Sequence, residues 1–327
     1  MIVSNLQPSI AMPHSPCTTP VALIIFNRPE STRQVFNAIR AARPQQLFAI
    51  ADAPRPDHPD DIAKCAATRA IIDEVDWDCQ VFKNYADRNL GCGLRPASGL
   101  DWVFQQVETA IILEDDCLPD PTFFAYCTEL LAHYRDDDRI MHISGNNFQF
   151  GQQRGEASYF YSRYTHHWGW ATWRRAWQHF DYDITKWQDL QTTNWLETLL
   201  DTPTAVAYWR QIFNEVYAAD KLHIWDYQWT FACWQHEGLC ILPQVDLVSN
   251  IGFNAEGTHT VRQNQFANLP LGEMTFPLKH PLEMIRDRSA DIFVQESKFN
   301  LGFLARLKRK LYWHRLSQQV RSIFKYL

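Results

Sequence analysis

Apolar runs of five or six residues alternate with helix-type stripes through the first half of the chain, and short polar stretches separate them. Unbroken runs of this length predict strands buried on both faces, and apolar residues three and four positions apart predict amphipathic helices. The predicted strands are residues 21–26, 47–51, 79–83, 110–114 and 139–143, and the predicted helices are residues 31–42, 60–75, 94–107 and 121–134. Because strand and helix alternate for about 125 residues, we predict an α/β fold with a doubly wound, mostly parallel sheet and helices on both faces.

The run at residues 110–114 leads into three consecutive acids, Glu114, Asp115 and Asp116. An unpaired charge is costly to bury, so the strand must end here and the acids must lie at its carboxyl end. Open α/β sheets bind ligands at that edge. Arg28 and Asp52 follow the first and second predicted strands, and we expect them at the same edge.

Adjacent carboxylates repel one another, and a bound cation relieves the repulsion. Oxygen ligands suit Mg²⁺ or Mn²⁺, which often takes further oxygens from a phosphate group. The pattern therefore predicts a divalent metal and a nucleotide at this edge, with a solvated acidic turn as the alternative. No G-x-G-x-x-G follows the first strand and no Walker motif occurs, which disfavours a dinucleotide-binding fold and a P-loop NTPase.

The second half of the chain is rich in aromatic residues, because ten of the thirteen tryptophans lie within residues 168–234. The densest part includes His167, Trp168 and Trp170. Aromatic rings stack against the C–H faces of sugars, and polar groups beside them hydrogen-bond to hydroxyls. This segment therefore predicts a sugar-binding region, with ordinary core packing as the alternative for each tryptophan.

Composition sets further bounds. The 327 residues are 46% hydrophobic, enough for a sizeable core, and the net charge of −6 gives no basic field that would attract nucleic acid. The eight cysteines form no C-x-x-C pair and no zinc spacing, which predicts reduced thiols in a cytoplasmic protein. No run has the roughly eighteen apolar residues of a membrane-spanning helix. Residues 1–20 lack the pattern of a signal peptide and are predicted to form a loose leader.

The tail, residues 298–327, contains basic and apolar side chains but no acid. Its apolar residues fall mostly at helical spacing, which predicts a basic amphipathic helix. Such a helix suits the anionic inner face of a membrane, so we expect peripheral membrane contact, with packing on the body of the protein as the alternative. We therefore divide the chain into the leader (1–20), a nucleotide-binding half (21–155), an aromatic-rich half (156–297) and the tail.

Four motifs occur in order along the chain: Phe26-Asn27-Arg28-Pro29, Ile112-Leu113-Glu114-Asp115-Asp116, His167-Trp168-Gly169-Trp170 and Gly257-Thr258-His259. Together they resemble a GT-A fold nucleotide-sugar glycosyltransferase of the family-2-like bacterial group related to N-acetylglucosaminyltransferase I, which includes proteins labelled haemolysin-like. The resemblance covers about residues 21–260, and the second motif matches the D-x-D element of that family.

The resemblance implies a role for each matching position. Asp116 would hold Mn²⁺ or Mg²⁺, and His259 would add a ligand from a late loop. The donor-binding residues would be Arg28, Asp52, Glu114 and Asp115. The acceptor would lie in the half 156–297, at His167, Trp168 and Trp170. Asp226 would be the catalytic base, although Trp225-Asp226-Tyr227 replaces the usual x-E-D form of the family and a helix N-cap is the other explanation for this aspartate.

The implied function is transfer of a hexose or N-acetylhexosamine from a nucleotide sugar, with UDP-sugars favoured, to a hydroxyl of a saccharide or lipid-linked acceptor. A single carboxylate base suits an inverting reaction. A sugar nucleotidyltransferase is the first alternative, but Asn27-Arg28-Pro29-Glu30 is not the glycine-rich basic loop that such an enzyme needs after its first strand. A carbohydrate-binding or membrane-active protein without catalysis is the second alternative, and the intact acid triplet disfavours it.

Overall fold

Alternating strands and helices build the first part of the fold, as the apolar pattern predicts. The computed structural model describes residues 17–218, 224–253, 266, 269–299 and 301. Within them the strands are β1 (Val21–Ile25), β2 (Gln46–Ala51), β3 (Gln80–Tyr85), β4 (Thr109–Glu114), β5 (Cys117–Pro119), β6 (Ile140–Ser144), β7 (Tyr159–Ser162), β8 (Trp170–Trp173), β9 (Leu239–Pro243) and β10 (Val248–Asn250). The helices are α1 (Pro29–Ala42), α2 (Asp60–Ile71), α3 (Gly91–Phe104), α4 (Thr122–His133), α5 (Arg174–Trp177), α6 (Trp187–Leu190), α7 (Trp195–Leu199), α8 (Pro203–Tyr217), α9 (Asp226–Gln235) and α10 (Arg288–Ser297).

One sheet contains eight strands in the order β3-β2-β1-β4-β8-β6-β9-β7. β3, β2, β1 and β4 run parallel, so their carboxyl ends lie at one edge. The chain passes from β1 to β2 on one side, while β4 pairs with β1 on the other, so the strand order reverses between β1 and β4. Open α/β sheets bind ligands outside the strand ends at such a point. The register pairs Ile24 with Glu114, which places the acid triplet beside the turn that follows β1.

The other half of the sheet mixes parallel and antiparallel pairs, so the eight-stranded sheet as a whole is mostly parallel, as predicted. β8 is antiparallel to β4 and β6, and β7 is antiparallel to β9, whereas β6 and β9 are parallel. Alternation of elements could not reveal this arrangement, because the chain inserts β8 between β4 and β6 only after a long connection. Strands β7, β8 and β9 follow residue 156, yet they complete the sheet that β1 begins.

Helix α1 begins at Pro29, two residues before the predicted start at Ser31. Proline suits the first position of a helix because its missing N–H would have no intrahelical partner there. The Thr32 hydroxyl donates to the carbonyl oxygen of Arg28 at 2.6 Å and closes the first turn. Arg28 therefore stands on a fixed backbone, directly between β1 and the helix.

Most of the tryptophans lie in the core. Two apolar clusters cover opposite faces of the sheet, and alternate residues of β1 belong to each of them. Trp170 and Trp173, at the two ends of β8, point into opposite clusters with 0% and 2% of their surface exposed. The second cluster contains Trp170, Trp177, Trp187, Trp209, Trp225, Trp229 and Trp234. Core packing, the alternative that the sequence left open, therefore accounts for these side chains.

A second, two-stranded sheet joins distant parts of the chain next to the acid triplet. β5 follows Asp116 directly and pairs antiparallel with β10, in a register that sets Cys117 opposite Asn250. The sequence pattern did not predict β5, because three residues are too short for a periodicity to be visible. This pairing brings the loop after β10 beside Asp116.

The first described residues of the tail pack on the body of the protein, which was the alternative to membrane contact, and docking of the tail on a membrane stays a prediction. Lys298 follows α10, the Phe299 ring contacts the rings of Tyr164 and Trp209, and Leu301 is buried. Residues 302–327 lie outside the described residues. Within the described part of the chain, no helix has the length and apolar character needed to cross a membrane.

Candidate functional site

Arg28 connects two members of the acid triplet at the junction of β1 and β4. Its Nη1 lies 3.0 Å from Asp115 Oδ1 and 2.8 Å from Asp116 Oδ2. The backbone N–H of Phe26 donates to the other oxygen of Asp115 at 3.2 Å. The structure therefore brings together the polar residues that follow β1 and β4, as the sequence predicts.

Burial and mutual repulsion control the ionisation of these groups. Burial, together with the charges of Asp116, Asp115 and Asp226, raises the pKa of Glu114 to about 8 against the opposing effect of Arg28. Burial also raises the pKa of Asp115 to about 6, while the Arg28 charge opposes this rise. Glu114 is therefore mainly protonated at neutral pH, whereas Asp115 is mainly ionised and paired with Arg28.

Asp116 is fixed by the loop that follows β10. The Asn250 side-chain amide donates to Asp116 Oδ1 at 3.1 Å, and the Ile251 N–H donates to the Asp116 carbonyl oxygen at 2.8 Å. Gly252 lies so close that a Cβ there would be 2.3 Å from Asp116 Oδ2. Sequence analysis missed Asn250 and Gly252 as site residues, because only the pairing of β5 with β10 brings them to Asp116.

Asp52 lies at the end of β2, where the sequence places it, but its carboxylate holds a turn. Its oxygens accept the backbone N–H groups of Ala53 and Gly91 at 2.8 Å each, and that of Leu90 at 2.9 Å. Leu90 and Gly91 stand at the start of α3, whose first N–H groups need such partners. Asp52 thus positions the start of α3 at the edge of the sheet, and contact with a nucleotide stays a prediction.

Asp226 is the first residue of α9 and lies one position after the N-cap, Trp225. Its carboxylate is half-buried and accepts the N–H of Tyr227 at 3.0 Å. The charge of Asp226 contributes to the raised pKa of Glu114, so the two acids belong to one electrostatic environment. The role of Asp226 as catalytic base stays a prediction.

Lys298, the first residue of the tail, contacts His166 and Phe148 of the body of the protein. Its Nζ lies 3.1 Å from His166 Nδ1 and 4.3 Å from the centre of the Phe148 ring. Burial lowers the pKa of Lys298 to about 8, and the charge of Asp226 opposes that effect. Its position after α10 gave no local signal, because only the fold brings α10 next to residues 148 and 166.

The His167-Trp168-Gly169-Trp170 motif is largely structural. Trp170 has no exposed surface, stacks on His142 with 5.1 Å between ring centres, and lies in a strand that other strands flank. The prediction that Trp170 binds an acceptor is therefore wrong for this structure. Gly169 has φ +63° and packs so closely on Val248 that a Cβ would lie 2.6 Å from a methyl carbon. That conformation and contact explain the glycine without a ligand.

His167 and Trp168 are half-buried and remain the predicted acceptor-binding residues of this motif. The His167 ring lies 5.0 Å from the ring of Trp225, the residue before Asp226. The Trp168 ring lies 5.6 Å from that of Phe253, just after the loop that holds Asp116. Both side chains therefore lie next to segments that carry the candidate site.

A preformed metal cage does not occur within the described residues, since no three His, Cys, Asp or Glu side chains group around one point. His259, the predicted second ligand, lies outside the described residues. Asp116 still offers a partly exposed carboxylate, with 14% of its side chain accessible. Mg²⁺-type ions often bind through one or two carboxylates and take their other ligands from substrate phosphates and water. The residues present fit a metal of that kind, with Asp116 as the protein ligand.

A polar cavity of about 350 Å³ lies beside the turn that carries Arg28. Its lining residues are Asn27, Arg55, Asp57, His58, Pro59, Asp60, Asp61 and Lys64. Asp61 accepts hydrogen bonds from Arg55 Nε at 2.6 Å and from Asn27 Nδ2 at 2.7 Å. The Arg55 hydrogen bond is the main reason that the pKa of Asp61 falls to about 2. This ion pair fixes the loop after β2 to the loop after β1.

No protein-family model matches the sequence, and no curated protein sequence matches it either. Among solved structures, the chain is similar to a UDP-glucose pyrophosphorylase complexed with UDP-glucose, with 9% identity, a TM-score of 0.26, and coverage of 49% of this chain and 70% of the other. It is also similar to mouse xyloside xylosyltransferase 1 in its apo form, with 11% identity, a TM-score of 0.31, and coverage of 69% of this chain and 85% of the other. At these values the similarities support no conclusion about activity.

Proposed function

We propose that this protein is a glycosyltransferase that moves a sugar from a nucleotide sugar, with UDP-sugars favoured, to a hydroxyl of a saccharide or lipid-linked acceptor. One observation supports the proposal most. Arg28 and the acid triplet meet at the reversal point of a parallel sheet, and Asp226 shares their electrostatic environment. A nucleoside diphosphate needs a cation such as Arg28 and metal-binding acids, and an acceptor hydroxyl needs a base such as Asp226 beside them.

The donor side of the site would hold the nucleotide diphosphate. Arg28 supplies a fixed cation, and Asp116 would hold Mn²⁺ or Mg²⁺, which would stabilise the charge of the leaving diphosphate when bound. Asp115 is locked by Arg28 and by the Phe26 N–H, so it suits a positioning contact with the ribose or sugar. Glu114, protonated at neutral pH, can donate a hydrogen bond to an oxygen of the nucleotide sugar.

The acceptor side would contain Asp226 as general base. Its place in the first turn of α9 puts it at the positive end of the helix dipole, which favours the ionised form that a base needs. The base removes the proton of the acceptor hydroxyl as that oxygen attacks the sugar. Direct displacement of the diphosphate by the acceptor oxygen, assisted by this one carboxylate base, would invert the configuration of the sugar. His167 and Trp168, which flank this region, would contact the acceptor sugar.

The alternative of a sugar nucleotidyltransferase is disfavoured by the turn after β1. Such an enzyme has to cradle a triphosphate with successive backbone N–H groups of a glycine-rich loop. Here α1 begins at Pro29, which has no N–H, and the preceding Arg28 side chain is paired with two acids. This turn therefore suits contact with a diphosphate through a side chain.

The test incubates the protein with each of a panel of UDP-, GDP- and dTDP-sugars and Mn²⁺, and measures the release of free nucleoside diphosphate. We expect release with one nucleotide class, abolished in Asp116→Ala, which should keep the stability of the parent because Asp116 lies in a turn. Asp226→Asn should bind the same donor with unchanged affinity but release diphosphate about a hundredfold more slowly. Formation of nucleoside triphosphate from the donor and pyrophosphate would identify a nucleotidyltransferase and contradict the proposal. Diphosphate release by Asp226→Asn at the rate of the parent would refute the base assignment.

A further inference from the structure

Six aromatic side chains form a continuous row of ring contacts that begins beside the loop that holds Asp116. Phe253 follows Gly252 of that loop, and its ring centre lies 5.6 Å from that of Trp168. Successive ring centres then lie 5.0–6.3 Å apart in the order Trp168, Phe148, Phe266, Phe150 and Phe293. This aromatic row therefore connects the candidate site to the loop after β6 and to helix α10.

The inner and outer parts of the aromatic row differ in exposure. Phe253 and Phe148 are buried, with 8% and 1% of their surface exposed. Phe266 and Phe293 are half-buried, and Phe150 is 40% exposed. We call these last three residues the outer aromatic group. Core packing accounts for the inner rings, but it does not explain why the ring of Phe150 is held at the surface.

The loop after β6 fixes Phe150 in an unusual backbone conformation. Its φ is +50°, in a region that residues other than glycine rarely adopt. Buried amides hold the loop on both sides, because Asn147 Nδ2 donates to the Pro243 carbonyl oxygen at 2.8 Å and Gln149 Nε2 donates to that of Ala290 at 3.3 Å. Such conformations persist where the surrounding structure imposes them, and they are frequent at ligand-binding sites.

Polar side chains border the outer aromatic group. The Arg154 guanidinium lies 5.6 Å from the centre of the Phe293 ring. It donates to Ser289 Oγ at 3.2 Å and to Gln152 Oε1 at 3.1 Å, and both hydrogen bonds lie at the surface. A sugar uses this combination, since its C–H face packs on an aromatic ring while its hydroxyls bind polar groups at the rim. An alkyl chain would use the rings alone.

We infer that the outer aromatic group is a second sugar subsite, which binds the unit of the acceptor next to the one that carries the reacting hydroxyl. The inference rests on the proposed function, because it takes the Asp116 loop as the donor side and Trp168 as a contact of the reacting unit. The aromatic row leads away from both. The acceptor is then a saccharide of at least two units, and Phe150, Phe293 and Arg154 determine specificity for the second one.

The test compares the affinity of disaccharides with that of their monosaccharide units by ligand-observed NMR titration, without nucleotide or metal. The probes are lactose, maltose, cellobiose and N,N′-diacetylchitobiose, each beside galactose, glucose or N-acetylglucosamine. We expect the parent to bind at least one disaccharide about tenfold more tightly than its units, because a second ring packs on Phe150. Phe150→Asn removes the aromatic ring with a residue that tolerates positive φ, so the preference should disappear. Phe150→Tyr should retain it.

Ile62→Asn is the control, because it makes a comparable change at an exposed apolar position of α2 and should keep the preference. Phe293→Leu repeats the measurement from α10, in case Phe150→Asn alters its loop, and should also lose the preference. A parent that binds no disaccharide more tightly than its units would overturn the inference. So would a preference that both Phe150→Asn and Phe293→Leu retain.

Octyl glucoside tests whether an alkyl chain occupies the outer aromatic group instead. If it binds more tightly than glucose through Phe150 while no disaccharide gains affinity, the inference is overturned. The titrations are independent of the proposed function, since they need neither donor nor turnover. A parent that releases no diphosphate from any nucleotide sugar would refute the proposed function, and a disaccharide preference that depends on Phe150 would still establish the sugar subsite. Diphosphate release without a disaccharide preference would leave the proposed function in place and overturn the inference.

Discussion

Substituting Gly252 by alanine should disable the acid triplet with little change to the rest of the fold. The added Cβ would lie 2.3 Å from Asp116 Oδ2 and 2.9 Å from its Cβ and Cγ. Real Cβ contacts are essentially never below 3.0 Å, so the two groups must separate by about 0.7 Å or more. Asp116 has no slack for such a shift, because Arg28 and Asn250 bind its two oxygens at 2.8 Å and 3.1 Å.

The expected loss follows from this displacement. A catalytic or binding group that is misplaced by about 1 Å typically loses on the order of a hundredfold in rate. Overpacking costs about 1–3 kcal/mol in stability, which a protein of this size can tolerate. We therefore expect Gly252→Ala to be folded but to hydrolyse nucleotide sugars about a hundredfold more slowly, with a weaker response to Mn²⁺.

The assay compares Gly252→Ala with Gly272→Ala, in which the added Cβ would approach Val245 Cβ at 2.5 Å instead of an acid. Hydrolysis rates over a range of Mn²⁺ concentrations and urea unfolding curves are measured for both variants. The control should lose stability to a similar degree while it keeps the Mn²⁺ response of the parent. A Gly252→Ala variant with the rate and Mn²⁺ response of the parent would refute the reasoning about Asp116.

Three further predictions follow from burial and charge. Trp170→Ala should lower the free energy of unfolding by about 3–5 kcal/mol in a urea titration. The same change at Trp168, which is half-buried, should lower it by clearly less. Equal losses for the two variants would contradict the core assignment of Trp170. Because the folded-state pKa of Glu114 is raised from 4.5 to about 8, the parent should lose stability as the pH rises from about 5 to 8. Urea unfolding at several pH values should show a weaker pH dependence for Glu114→Gln. If the stabilities of the parent and the variant fall in parallel with pH, the prediction is contradicted. Truncation after Ser297 should lower the melting temperature, because Phe299 and Leu301 leave the aromatic cluster, and an unchanged melting temperature would show that this packing is unimportant.

Local sequence patterns predicted the parallel strands whose carboxyl ends carry the candidate site. Unbroken apolar runs gave β1, β2 and β4 within one residue at each end, because a parallel strand buried on both faces needs such a run. The polar residues at the ends of these strands, Arg28, Asp52 and the acid triplet, were predicted to lie at one edge of the sheet. That step needed only the rule that parallel strands end at the same side of a sheet.

Contacts between distant segments could not be predicted from the sequence. Asn250 and Gly252 reach Asp116 through the three-residue pairing of β5 with β10, and Lys298 reaches His166 across 132 positions of the chain. Trp170 was misassigned because a core tryptophan and a sugar-binding tryptophan have the same local sequence signal. Only the position of β8 between β4 and β6 separates the two cases.

The charges of the candidate site explain why metal and nucleotide should bind together. At neutral pH the described partner of Asp115 and Asp116 is the guanidinium of Arg28, while burial keeps Glu114 protonated, so these four side chains together have one net negative charge. A divalent cation alone would change the net charge of this partly buried group from −1 to +1. A diphosphate alone would add negative charge beside two carboxylates. Each partner therefore offsets the cost of binding the other. Because Arg28 Nη1 already contacts Asp116 Oδ2, a cation that approached this oxygen would compete with the guanidinium, and a bound diphosphate would give Arg28 a new partner. Under the proposed function, Arg28 is the counter-ion of the acids before binding and would become a ligand of the diphosphate after it.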